Sequence, residues 1–191
     1  SVGFFHADSD VGRAHLDNVK IAAAELGMNV TLTLPFKGDV SDPQLDDMAG
    51  QITTAQPDMV INHGSAGLYA KLIAKARKAR IKTTFMAVNS GSTQLANDLG
   101  PLAHGMVFAQ VVPSPWERKH PISREYQEAM TKSRPGVALS YGGLEGYLTA
   151  KALVLALQAT GKDLTRANFI VSLERSSFEL GGVTVRYTPK S

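Results

Sequence analysis

The chain contains no cysteine, which excludes disulfides, thiolate metal sites and cysteine nucleophiles but fits reducing and oxidising compartments alike. No apolar run approaches the ~20 residues that a membrane-spanning helix needs. The first residues lack the basic, apolar, small-residue order of a signal peptide. No Gly-x-Gly-x-x-Gly follows an expected strand, so the dinucleotide-binding turn is missing as well. An excess of one charge is also lacking: the formal net charge is only +3. The most basic stretch, "KLIAKARKARIK", sets Lys71, Lys75 and Lys78 at helical spacing with no aromatics between them. It reads as a solvated helix face whose cations suit the negative end of the helix dipole, and no nucleic-acid partner is expected. What is present is ordinary for a globular chain of 191 residues, 43% hydrophobic and 19% charged, with material for one large or two small domains.

From Val2 to Val111, short β-branched runs alternate with amphipathic ones. "VGFF" reads as a strand, and Val11 to Leu26 as a helix with Val19, Ala22, Ala23 and Leu26 on its buried side and Gly27 ending it. "VTLTLPF" is the next strand. Asp42 before Pro43 reads as an N-cap opening a helix to about Ala55. Asp58 to Asn62 is strand, Ser65 to Ala79 helix, "TTFMAV" strand, Thr93 to Leu99 a short helix and "GMVFAQVV" strand. Strands separated by helices of this length predict an α/β class with a parallel sheet covered on both faces. "PSPWERKHP" then packs three prolines into a linker. Helices are expected from Ser123 to Lys132, Ser140 to Thr160 and Thr165 to Leu173, the long one too broadly apolar to be solvated. The end, "SFELGGVTVRYTPKS", reads as a hairpin around Gly181 and Gly182.

Several chemistries compete for the turns. In "HADSDVGRAHLDNVK", Asp8 and Asp10 have the D-x-D spacing of an aspartate-nucleophile phosphatase of the haloacid dehalogenase type. Gly12, however, stands where a threonine or valine belongs, and the later acidic pair arrives with the wrong spacing. A metal held by His6, Asp8 and Asp10 lacks a later partner cluster. Alternatively Ser9 or Asp10 simply caps the following helix. Ser65 in "VINHGSAGLYAK" occupies a strand-to-helix turn like a hydrolase nucleophile, but His63 replaces the first glycine of G-x-S-x-G, and neither His104 nor His120 is well placed as its base. The recurring pattern is a set of strand ends that release small polar residues at helix starts: "ADSDVG", "NHGSAG" and "NSGST". Ligands of parallel sheets sit outside such ends, and three turns without a complete catalytic set favour binding over turnover.

The order of "VGFFHADSDVGRAHLDNVKIAAAELG", "QPDMVINHGSAGLYAKLIAKARKARIKTTFM", "GMVFAQVVPSP" and "EGYLTAKALVLALQATGKDLTRANFIVSLE" resembles the Leu/Ile/Val-binding proteins, type I solute receptors of ABC transporters. The resemblance implies a doubly wound parallel sheet forming one lobe of a type I periplasmic binding protein, plus a helical segment belonging to the other lobe. Residues 1–112 would be the second lobe, 113–121 a crossing linker, 122–175 the helical part of the first lobe and 176–191 a hairpin returning towards the second. It further implies that Asp10 and Val11 lie near the ligand, with Ser65 and Ala66 on the next turn. Asn89 would stand where amino-acid-binding members have an acidic residue for the ammonium group, and Tyr147 where they have a cleft tyrosine. No catalytic residue, metal or cofactor is implied. The partners would be a small-molecule ligand (a branched-chain amino acid first, an uncharged or anionic compound second because of Asn89) and a membrane permease. The location would be periplasmic, or extracellular and lipid-anchored in a Gram-positive host. The resemblance also makes the chain a fragment of a longer receptor, expected to self-associate and to bind its ligand weakly alone. A ligand-responsive transcription regulator of the same fold and the Asp8 phosphatase are the alternatives.

Overall fold

The computed structural model describes residues 1–88 and 92–189. Two units form, Ser1–Ala109 and Gln110–Ser191. The first alternates β1 (Val2–Ala7), α1 (Asp10–Glu25), β2 (Val30–Phe36), α2 (Asp42–Ala55), β3 (Met59–His63), α3 (Ala66–Lys78), β4 (Thr84–Val88), α4 (Ser92–Leu99) and β5 (Val107–Ala109). The strands make one parallel sheet in the order β2-β1-β3-β4-β5, the expected α/β fold.

Period-two alternation sends two sets of side chains to opposite faces. Phe5, Leu34, Phe36, Val60 and Phe85 pack with Leu45 and Ile52 of α2, Tyr69, Leu72 and Ile73 of α3, and Leu95 and Leu99 of α4. The buried Tyr69 hydroxyl donates to the carbonyls of Val60 (2.7 Å) and Met86 (3.1 Å), tying α3 to two strands. On the other face Val2, Phe4 and His6 are buried, and α1 approaches β1 through Gly12.

Four local expectations shift. The buried seam of α1 is Gly12, Leu16, Val19 and Ala23, at i, i+4, i+7 and i+11, whereas Ala22 is exposed and Leu26 is 72% exposed at the C-cap. Gly27 follows at φ +67, the left-handed conformation expected there. The cap of α2 is Ser41 rather than Asp42, because its N–H donates to Gln44 Oε1 (2.9 Å) in a Ser-x-x-Gln box. β5 is three residues long rather than eight. Of the three expected solvated lysines of α3, Lys75 instead pairs with Asp46 (2.7 Å) and Asp42 (3.7 Å) of α2.

The second unit contains α5 (Pro121–Ser133), α6 (Tyr141–Thr160), α7 (Arg166–Arg175) and an antiparallel pair, β6 (Ser177–Glu179) and β7 (Thr184–Arg186). Its core is Ile122, Tyr126, Leu144, Leu148, Ala152, Ala156, Phe178 and Leu180. The hairpin buries Phe178 and Leu180 among these helices. The Ile122 N–H donates to Gly181 O (3.0 Å), and a Cβ on Gly181 would meet the Ile122 nitrogen at 2.9 Å. Alternation places both apolar side chains on the one face of the hairpin that meets α5 and α6.

Candidate ligand-binding site

β1 has β2 on one side and β3 on the other, so the chain reverses its direction of winding between β1 and β3. Outside the carboxyl ends of the strands, this switch point leaves a crevice where open α/β sheets bind ligands. The turns after β1 and β3 border it.

The first turn is set by backbone and capping bonds. Asp8 N–H donates to Phe36 O (2.6 Å), and Ser9 Oγ accepts from Gly12 N–H (3.1 Å), so Ser9 is the N-cap of α1. A Cβ on Gly12 would lie 1.9 Å from the Ala7 carbonyl oxygen, so only glycine permits this approach of helix to strand. Arg13 donates to Asp8 Oδ1 (2.5 Å) and Asp10 Oδ1 (2.7 Å), and these bonds, chiefly that from Asp10, raise its pKa further. Both aspartates of the D-x-D spacing thus share one guanidinium. Asp10 is fully exposed, and Val11 is 61% exposed.

The second turn follows the same logic. Gly64 sits at φ +136, and a Cβ there would meet the Phe36 ring at 2.7 Å. Ser65 Oγ accepts from Leu68 N–H (3.2 Å) and caps α3, leaving Ala66 exposed at the first position of the helix. Asp10, Val11, Ser65 and Ala66 therefore stand at one edge of the sheet, in the turns and helix starts that follow two adjacent strands. Asn89 lies outside the described residues. Tyr147 belongs to the second unit, where its hydroxyl donates to Glu125 Oε1 (2.9 Å) while Lys151 Nζ donates to Glu125 Oε2 (2.5 Å). Its ring tilts against Tyr126 at 5.7 Å.

Sequence reasoning missed a histidine cluster at this edge. His6 and His63 are register partners across β1 and β3, and the rings of His63 and His15 stack at 3.9 Å. His6 Nδ1 donates to Ala7 O (2.9 Å). Burial, then the nearness of His15 and His6, lowers the His63 pKa. Strand register sets His6 beside His63, and the packing of α1 sets His15 on His63; no local spacing signals either. Among the described residues, no group of three or more His, Asp or Glu could hold a metal ion. A cavity of about 510 Å³ opens at the opposite edge of the sheet, lined by Gln56, Pro57, Asp58, Arg80 and Thr83. These residues precede strands or end helices, where the turns carry none of the switch-point geometry.

A sequence profile of the periplasmic binding proteins matches residues 1–190. The chain belongs to the periplasmic binding protein family. Solved structures similar to this periplasmic binding protein include a possible leucine/isoleucine/valine-binding protein from Rhodopirellula baltica SH 1, at 28% identity and TM-score 0.84, covering 98% of this chain and 52% of the other. A fatty acid ABC transporter substrate-binding protein from Thermomonospora curvata gives 26% and 0.78, covering 94% and 47%. An extracellular ligand-binding receptor from Verminephrobacter eiseniae ef01-2 gives 24% and 0.81, covering 97% and 54%. This periplasmic binding protein chain thus spans about half the length of the structures it matches. No match was found among curated proteins.

Proposed function

We propose that the chain is part of the solute-binding component of an ABC transporter, which captures a small metabolite outside the cytoplasmic membrane and delivers it to a permease without chemical change. The observation that carries this reading is the pair of turns at the switch point. Their polar side chains are engaged in capping and ion pairing, by Ser9, Ser65, Asp8 and Asp10, while Val11 and Ala66 remain exposed beside them. An aspartate held by Arg13 and a serine accepting from a backbone N–H suit a binding wall better than a nucleophile. No helix among the described residues is long and apolar enough to cross a membrane. The expected solute is a branched-chain amino acid or a related apolar acid, in line with the apolar Val11 and Ala66 and with what two of the matched structures are named for.

Thermal-shift measurements with leucine, isoleucine and valine, then with short fatty acids, test the reading. A ligand at a hundredfold excess over its dissociation constant adds roughly 2.7 kcal/mol of stability. A raised midpoint with one of these compounds supports the proposal. A midpoint that none of them moves, together with hydrolysis of a generic phosphate ester that Asp8→Asn abolishes, would transfer the site to the phosphatase class.

A further inference from the structure

We infer that the stacked His15–His63 pair is an acid-sensitive latch, which holds the first turns of α1 against β3 at neutral pH and releases them as the medium acidifies. The geometry is a ring stack at 3.9 Å between a helix residue and the last residue of a neighbouring strand, with His6 in register one strand away. His15 is exposed, whereas His63 is half-buried and its Nδ1 makes no hydrogen bond among the described residues. A second proton on the pair therefore sets two like charges in stacked contact, with one ring only partly solvated, and the repulsion is relieved by separating α1 from β3.

Among the described residues, none offers a counter-charge to His63. From β1 the group facing it is His6, and from α1 it is His15. The nearby carboxylates Asp8 and Asp10 are both held by Arg13. β4 carries no titratable side chain between Thr84 and Val88, and neither do the Ala66, Gly67 and Leu68 positions that open α3. Burial first, then the two other imidazoles, holds His63 below its ordinary value near 6.5. The opened form thus binds more protons than the closed one, and closure is complete above about pH 6.5 and lost as pH falls below it. Because α1 starts at the switch point, opening would also loosen a solute held there, a consequence that rests on the function proposed above.

The test needs no ligand. Histidine ring proton signals of the intact chain, followed by NMR from pH 8 to pH 4.5, should show His63 titrating below its ordinary value near 6.5 and at a pH that rises in His15→Asn. Amide protection in residues 11–16 should fall about tenfold for each unit by which His63 is displaced, and His15→Asn should reduce that fall. His15 is exposed, so the variant is expected to fold, and the titration of the unaltered chain stands without it. Titration of His63 at its ordinary value and unmoved in His15→Asn, or α1 protection that is unchanged between pH 7.5 and 5, overturns the latch. Loss of ligand binding at every pH would instead count against the solute-binding reading and leave the latch intact.

Discussion

At the scale of single residues, what the sequence reveals are caps. Ser9, Ser65, Ser140 and Thr165 each accept from a backbone N–H three positions on, because that bond depends on local spacing alone. What it conceals are meetings fixed by the fold, such as the His15–His63 stack and the partner of Tyr147. The Tyr147 hydroxyl bonds Glu125 across two helices, and burial together with that bond pushes its pKa up to about 12 from 10.0. The protonated phenol is therefore favoured by folding, and its contribution is whole below pH 10 and lost as pH rises towards 12. Tyr147→Phe is expected to cost about 1 kcal/mol at neutral pH, with the difference from the original chain narrowing between pH 10 and 12 in denaturant titrations. Lys151 lowers the Glu125 pKa below its ordinary 4.5 through their hydrogen bond, so the stability from this carboxylate is present above that value and lost on acidification. A Tyr147→Phe deficit that is constant across the alkaline range would mean that the Glu125 bond adds nothing.

At the scale of elements, the sequence located the α-helices and strands of the sheet unit to within a few residues, since alternating strand and helix periods, Gly27 and the capping serines are all local signals. It misjudged which face α1 buries. Val19, Ala22, Ala23 and Leu26 fit an apolar stripe, but the tightest contact is made by Gly12 on the Ala7 carbonyl, and that pivot turns the seam to Gly12, Leu16, Val19 and Ala23. A missing side chain leaves no mark in a hydrophobic pattern. The pivot makes a paired prediction. Gly12→Ala forces its new methyl group onto the strand backbone and should destabilise by about 1–3 kcal/mol. Leu26→Ser removes a larger apolar group from an exposed position and should change stability by no more than about 0.5 kcal/mol. Urea unfolding of both variants checks the pair, and a costlier Leu26→Ser would restore the seam that the sequence suggested.

At the scale of the whole molecule, two cores form without sharing a residue, one around the parallel sheet and one around α5, α6 and the hairpin. The linker prolines mark the change in grammar, but nothing local shows that Phe178 and Leu180 join the core of α5 and α6, because both are apolar whichever helices they meet. The second core also leaves apolar surface open. α6 buries Leu144, Leu148, Ala152 and Ala156 at intervals of four, while Gly146, Ala150, Leu153, Val154 and Leu157 form an exposed stripe on another face, with Leu153 and Val154 each 51% exposed. Ile170 and Val171 of α7 are exposed as well. Continuous apolar patches beyond a few hundred Å² seldom stay open to water on a monomer, so the chain on its own is expected to self-associate through this face. Static light scattering should give a mass above that of one chain, rising with concentration, and the double substitution Leu153→Ser with Val154→Ser should bring it towards a single chain without lowering the unfolding midpoint, since neither side chain belongs to the core. A chain that stays monomeric at every concentration would show that the exposed stripe is too small or too broken by Gly146 and Ala150 to drive association.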